Sequence, residues 1–447
     1  MTNHIFREYD IRGVVETDLK PETVTRLGKA VGTYLLDRQV FDLVVGRDCR
    51  LSSPSLRNAL IKGLLSTGIH VIDIGVCHSP LVYFALFHLD KNGGVMITGS
   101  HNPPEFNGFK ICCGKTTIHG AEIQKLKALM ESNRFSSGKG TLSEQNILPA
   151  YWDRIAADIT LRRNMKVVVD AGNGTGGRAA PELLKRLGCT VTELYCDMDG
   201  NFPNHHPDPT VTDCLQDLIS AVRKEKADVG IGYDGDADRI GAVDEQGNII
   251  WGDQLLTIFA REILKDAPGA TFISEVKASQ NFYQDITQKG GKAIMWKTGH
   301  SLIKSKMKEE NALLAGEMSG HMFFAHRYYG FDDAVYATCR LLEILSKTDQ
   351  PLSRLLADLP KTFTTPEIRI DCPDEKKFEI PEKVKNYFKD TYQTIDIDGV
   401  RILMEKGWGL VRASNTQPVL VLRFEAETEK RLQEIKDMVE SVVKSFV

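Results

Sequence analysis

The heptapeptide YDGDADR, Tyr233 to Arg239, alternates Asp234, Asp236 and Asp238, so an extended or looped backbone can turn all three carboxylates to one side. Carboxylates held that close repel unless a cation sits among them, and a hard divalent ion with oxygen ligands is the natural occupant. Mg2+ suits best, because three carboxylates leave positions open for a phosphate oxygen. An EF-hand calcium loop is disfavoured: its twelfth-position glutamate would have to be Glu245, which lies in AVDEQG, a strand-and-turn fragment. A solvated acidic turn is the plain alternative.

A second stretch, MITGSHNPPEFNGFK, sets Ser100 and His101 after the apolar run Val95–Met96–Ile97. Thr98–Gly99 ends that strand and Pro103–Pro104 keeps a helix from following directly. Ser100 is therefore expected on a rigid loop at the carboxyl end of a strand, where open α/β sheets bind ligands. Adjacency makes no triad of Ser100 and His101, and the G-x-S-x-G elbow is absent. In GEMSGH, the alternation of Glu317, Ser319 and His321 places the three on one side of an extended segment, where they could hold hydroxyl groups; a charged hairpin is the competing reading. KTGHS supplies His300 at the start of a helix. RASNTQP gathers Arg412, Ser414, Asn415 and Thr416, a guanidinium with hydroxyls, an amide and loop N–H groups, a mix suited to phosphate. FREYDIRG and VGRDCR add Arg7, Arg12, Arg47 and Arg50. His205–His206 with Asp208 lacks paired zinc-ligand spacing in its proline-broken run and reads as a structural loop.

These segments need a scaffold, and a weak internal repeat provides one. LVVGRDCRLSSPSLRNALIKGLLSTGIHVIDIG runs strand, loop, helix, glycine, strand; KVVVDAGNGTGGRAAPELLKRLGCTVTEL repeats it with Gly188 in the place of Gly68, and a looser copy surrounds Gly290. Each is a β-α-β unit, so three related α/β domains with mixed sheets are expected. From about Pro366 the pattern changes to alternating strands and a closing amphipathic helix, a small α+β domain. The expected division is 1–147, 148–250, 251–366 and 367–447, arranged around a central cleft.

The 447 residues, 42% hydrophobic and 26% charged, suffice for several cores. A net charge of −4 argues against a general nucleic-acid or membrane surface. The longest apolar stretch, Leu81 to Leu89, is too short to span a bilayer. Nine cysteines with no CxxC pair, and a charged N-terminal segment with no apolar core, lead us to expect a cytoplasmic protein. No Walker A motif is present, which speaks against a P-loop kinase.

Taken in order, Ser-His-Asn-Pro, DGDADR, GEMSGH and RASNT, with the FREYDIRG start and the four-domain plan, resemble the α-D-phosphohexomutase superfamily over essentially the whole chain. The chain is most similar in character to the bacterial phosphomannomutase/phosphoglucomutases, in which GEMSGH is the usual sugar-recognition loop. Phosphoglucosamine mutases are similar but usually carry Gln where this chain has Met318. The resemblance implies interconversion of hexose 1- and 6-phosphates through a phosphoserine and a hexose 1,6-bisphosphate, which would also serve as priming activator. It implies that Ser100 carries the phosphoryl group and that Asp234, Asp236 and Asp238, with an oxygen at Ser100, hold Mg2+. Ser100, His101, Lys110, Arg12 and His321 would form the catalytic set, with the general acid and base among Lys110, His101 and His321. Glu317 and Ser319 would bind sugar hydroxyls; Arg412, Ser414, Asn415 and Thr416 would clamp the distal phosphate; Tyr9, Arg239, Lys277 and His300 would line the cleft. Phosphosugars are the expected partners of an expected monomer. A binding protein that had kept the fold without activity would be expected to lose Ser100, an aspartate or Lys110, and all are present.

Overall fold

In a computed structural model, which describes residues 3–414 and 418–447, the chain forms four sheets. Three of them share one plan. In the first, the parallel pair Asp42–Arg47 and His70–Val76 brackets the helix Ser53–Leu65; in the second, Lys166–Asp170 and Thr190–Leu194 bracket Gly176–Arg186; in the third, Thr271–Glu275 and Lys292–Trp296 bracket Gln280–Gln288. The glycines of the sequence repeat, Gly68, Gly188 and Gly290, all occupy the turn from helix into second strand with φ of 101°, 87° and 83°. Only a residue without a Cβ adopts that conformation freely, which is why the repeat shows in the sequence as a glycine.

The plan continues identically beyond the repeat. On the other side of the first strand of each pair lies a third parallel strand, Gly93–Ile97, Val229–Tyr233 or Leu314–Gly316. Each is followed by a loop and by an antiparallel return strand, Phe106–Cys113, Ile240–Asp244 or Met322–Phe324. The three loops so placed hold Ser100, Asp234 to Arg239, and Glu317 to His321. Gly93–Ile97 and Val229–Tyr233 are buried along their whole length, as strands covered on both faces are. For the first, the apolar run Val95–Met96–Ile97 was the signal in the sequence.

The fourth sheet has Gly407–Ala413 and Val419–Ala426 at its centre, is antiparallel throughout, and packs the helices Ile380–Phe388 and Glu429–Lys444 against its own core. The largest core runs through the first three units. Its axis is the helix Ala334–Ser346, buried at every residue, which bonds to the second sheet through Thr338 and Tyr233 (2.7 Å between oxygens). The nine cysteines are free, and no helix among the described residues is long and apolar enough to cross a membrane.

Candidate active site

The Ser100 loop is built by a single buried cation. Arg50 donates to the carbonyls of Ser100 (2.8 Å), Asn102 (2.6 Å), Pro103 (2.6 Å) and Phe106 (3.1 Å). Its Nε lies 3.2 Å from Asp48, and that carboxylate also accepts from Gly99 N (3.1 Å) and the Ser53 hydroxyl (2.5 Å). The result holds Ser100 at φ 49°, uncommon for a residue with a Cβ, with its Oγ 3.0 Å from Asp234 Oδ2 and 3.1 Å from His101 Nδ1. Among the residues singled out in the sequence, Arg50 stood only as part of a cationic cluster. Its function in the fold is to brace the loop; its position three residues after a strand was the available signal.

Asp234, Asp236 and Asp238 are essentially inaccessible to solvent, and their oxygens lie within 4.8 Å of one another. Lys110, on the return strand of the first sheet, sits across two of them, with Nζ 2.7 Å from Asp236 Oδ2 and bonded to Asp238 Oδ2. Ser79 adds a short bond to Asp236 (2.5 Å). Burial, and then the charges of Asp238 and Asp236, push Asp234 well above the usual carboxylate range, whereas Lys110 and His321 overcome burial to hold Asp238 well below it. Opposite displacement of neighbours is what a carboxylate cluster short of cations produces. Asp236 Oδ1 is buried with no hydrogen-bond partner. The triad thus has the donor set, the charge deficit and a spare oxygen that a divalent cation would satisfy.

GEMSGH is a hairpin turn, not the extended segment that alternation suggested. Gly316 pairs with Met322, Glu317 N donates to His321 O (3.0 Å), and Gly320 N to Glu317 O (3.0 Å). Gly320 has φ 93°, and a Cβ there would come within 2.3 Å of Ile240 O, so the turn needs glycine on both counts. Glu317 and His321 still meet, across the turn instead of along it: His321 Nδ1 is 2.9 Å from Glu317 Oε2 and 3.1 Å from Ser319 Oγ. Its Nε2 is 3.2 Å from Asp238 Oδ1. Burial disfavours a charged ring, but Asp238 and Glu317 outweigh it and lift His321 to about 9. Arg239 pairs with His321 through the backbone, so the second and third loops are zipped together. His300 stacks on His321 with ring centres 5.8 Å apart.

A second group of expected residues gathers around Thr298, which the sequence reading passed over although KTGHS contained it. Thr298 O accepts from Tyr9 Oη of the first sheet's unit (2.8 Å), its N donates to Asp398 Oδ2 of the fourth (3.0 Å), and its hydroxyl to Glu275 (3.2 Å). Asp398 Oδ2 also accepts from Arg412 Nε (3.1 Å). Glu275, buried and likewise unanticipated, takes the backbone N–H of Lys277 (2.6 Å) and of Met318 (3.2 Å). Gly299 N donates to Glu317 (2.7 Å), joining this group to the hairpin. Lys277 Nζ is 3.3 Å from Glu367. Arg12 pairs with Asp10 at 2.5 Å, and its charge, with that of Arg239, adds to burial in holding His101 well below the usual imidazole range. Ser414 N bonds to Val419 O (3.0 Å); Asn415 and Thr416 lie outside the described residues. The His205–His206 loop forms no metal-ligand group among the described residues; His205 bonds to Asp170 (3.1 Å).

Four family models match the chain: phosphoglucomutase/phosphomannomutase alpha/beta/alpha domains I, II and III over residues 3–137, 149–247 and 251–363, and the C-terminal domain over 367–442. A phosphomannomutase/phosphoglucomutase of Pseudomonas aeruginosa is 48% identical over 442 residues, 99% of this chain and 96% of that protein. A phosphoglucomutase of Neisseria gonorrhoeae is 45% identical over 450 residues, covering 100% and 98%. The crystal structure of a phosphoglucomutase/phosphomannomutase family protein from Burkholderia thailandensis superposes with a TM-score of 0.94 at 42% identity, covering 100% of this chain and 98% of that one. With three equivalent loops in contact, the aspartate loop against Ser100 and the hairpin against the aspartate loop, and all four domains matched, the chain belongs to the phosphoglucomutase/phosphomannomutase family.

Proposed function

We propose that the protein interconverts the 1- and 6-phosphates of glucose and mannose. The observation that carries this reading is Ser100: a buried hydroxyl on a braced loop, 3.0 Å from one carboxylate of the triad and 3.1 Å from an imidazole. Phosphoryl transfer asks a protein mainly for positioning and for neutralisation of charge.

In the forward half-reaction a sugar hydroxyl attacks the phosphoryl group on Ser100. The new sugar O–P bond forms, the Ser100 O–P bond breaks, the sugar hydroxyl proton passes to a base and an acid returns a proton to the Ser100 oxygen. In the return half-reaction Ser100 attacks the other phosphate of the hexose 1,6-bisphosphate, its hydroxyl proton leaves, the sugar O–P bond breaks and the freed sugar oxygen takes up a proton. His101 is placed to take the Ser100 proton at Nδ1, while Lys110, committed to Asp236 and Asp238, contributes charge. Asp234, Asp236, Asp238 and an oxygen at Ser100 would hold Mg2+, which when bound draws charge from the phosphoryl oxygens. Glu317 and Ser319, aimed by the hairpin and by Gly299 N, would hold sugar hydroxyls. Arg412 with Ser414, Asn415 and Thr416 would clamp the phosphate that is not reacting, and Tyr9, Arg12, Arg239, Lys277, His300 and His321 would line the cleft. The four functional units are 1–147, 148–250, 251–366 and 367–447, working as a monomer, with the last able to swing and regrip the turned intermediate. A small apolar cluster centred on Val276, Trp408 and Leu410 joins it to the third unit. A trace of hexose 1,6-bisphosphate would be needed to phosphorylate Ser100 at the outset.

The test is turnover of mannose 1-phosphate, glucose 1-phosphate and glucosamine 1-phosphate, side by side, with Mg2+ and trace glucose 1,6-bisphosphate. Comparable kcat/KM on the first two and poor use of the amino sugar is the expected result; dominant use of the amino sugar overturns the assignment.

A further inference from the structure

Outside the catalytic groups, a cavity of about 500 Å3 opens beside the carboxyl ends of Asp42–Arg47 and His70–Val76, lined among others by Arg47, Arg57, Asp73, Gln145 and Arg178. That volume is in the range of small-molecule sites, and strand carboxyl ends are where α/β sheets take ligands. One of its arginines, Arg47, lacks the partners that a mostly buried guanidinium normally has, and a second, Arg178, is exposed with its N–H donors open to a ligand. The side chain of Arg47, 22% exposed, makes no hydrogen bond among the described residues; its Nε is buried without a partner, and its nearest carboxylate oxygen, on Asp73, is 3.9 Å away. Arg178 reaches in from the second unit and makes one bond, to the carbonyl of Val76 (3.1 Å).

The acid on the wall is already taken. Asp73 Oδ2 receives Nε and Nη2 of Arg57 (2.7 and 2.5 Å) and its Oδ1 receives Gly75 N (2.8 Å). Glu144, at the rim, is largely solvated and lies 3.6 Å from Arg57. With Asp73 matched by Arg57, two positive charges remain on Arg47 and Arg178, with most of their N–H donors unused. Planar guanidinium forks approaching from two domains fit tetrahedral oxyanions bidentately, and two such forks fit two phosphates.

We infer that this cavity is a second anion site, separate from the cleft, that takes a small molecule bearing a diphosphate group. Arg47 and Arg178 each hold a phosphate and Arg57 stays with Asp73. The residue after Arg47 is Asp48, which accepts from Gly99 N, so the wall of the site is joined to the serine loop through one peptide and one hydrogen bond.

Calorimetric titration of the full-length protein with inorganic pyrophosphate tests this. The catalytic cleft can also bind the probe, so three proteins are compared: wild type, Arg412→Ala to weaken the cleft, and Arg47→Met/Arg178→Met. Binding that survives Arg412→Ala and weakens at least tenfold in the double variant is the expected result. Equal binding in wild type and the double variant overturns the proposal, as does loss of all binding in Arg412→Ala. Citrate that competes as well as pyrophosphate for the site surviving in Arg412→Ala overturns the diphosphate assignment. Should the double variant melt below wild type, Arg178→Met alone, which gives up a single carbonyl bond, is read by the same criteria.

Discussion

The serine loop and the Arg412 strand illustrate two ways of placing a phosphate-handling group. The first is fixed from within: Arg50 satisfies four loop carbonyls, Asp48 holds Arg50, and the carboxylate of Asp234 on the neighbouring unit meets the serine. The second is fixed by docking. Arg412 ends a strand of a sheet with its own core and is tied to the third unit through Asp398 and Thr298. Deeper in the same interface, Arg401 donates to the carbonyls of Val276 and Ala278 (2.8 Å each) and stacks 3.7 Å from the Trp408 ring. Under the proposed function, the reacting end would be held immobile and the gripping end would exchange, as an intermediate that must turn over requires.

The largest effect in this scheme belongs to the serine. Ser100→Ala is expected to lower kcat by at least about four orders of magnitude while sugar-phosphate affinity stays near wild type. A variant retaining a tenth of normal turnover would remove the covalent step. Lys110→Met strips the buried carboxylates of their resident cation, and loss of one partner from a buried pair typically costs about 3–5 kcal/mol. Urea unfolding with chelator present should show that loss, and Mg2+ should restore part of it, because the ion supplies charge to the same oxygens. A deficit indifferent to Mg2+ would mean the triad does not hold the metal.

Arg50→Met separates bracing from chemistry. Loop misplacement on the ångström scale is expected to reduce kcat about 10²-fold with KM nearly unchanged. Mass spectrometry should find less phosphate on Ser100 after priming; a KM effect alone would show that Arg50 serves binding instead. Arg412→Ala should do the reverse, raising KM by tenfold or more through a lost charge-assisted grip worth about 1.5–3 kcal/mol, with a smaller change in kcat. If Arg50→Met and Arg412→Ala gave the same kinetic signature, the distinction between a fixed and a docking end would fail.

Much of this was legible in the residues themselves. Glycines at 68, 188 and 290 mark the same left-handed turn in each repeat, and a continuous apolar strand ran directly into the serine loop. These are local properties, set by the steric freedom of a glycine or by the burial of both strand faces. The alternation in GEMSGH misled on shape, because spacing of two is equally compatible with a strand and with a tight turn, and the pairing of Gly316 with Met322 decides between them. Arg50, Glu275, Thr298 and Asp398 were invisible as a set: each is an ordinary polar residue until distant segments present carbonyls, N–H groups or a guanidinium to it.

The sequence alone therefore determined which groups could do chemistry and the repeating β-α-β units that carry them, since propensity, glycine conformation and apolar runs act over a few residues. Only the tertiary structure decided that three loops from three units occupy equivalent places, the second touching Ser100 and the third touching the second. It also decided that Lys110 lies between two aspartates 126 and 128 residues away and that Arg47 is left with its Nε buried and unpartnered beside a separate cavity. Those outcomes depend on how buried charges and hydrogen-bond donors from separate domains satisfy one another, and that balance exists only once the domains have packed.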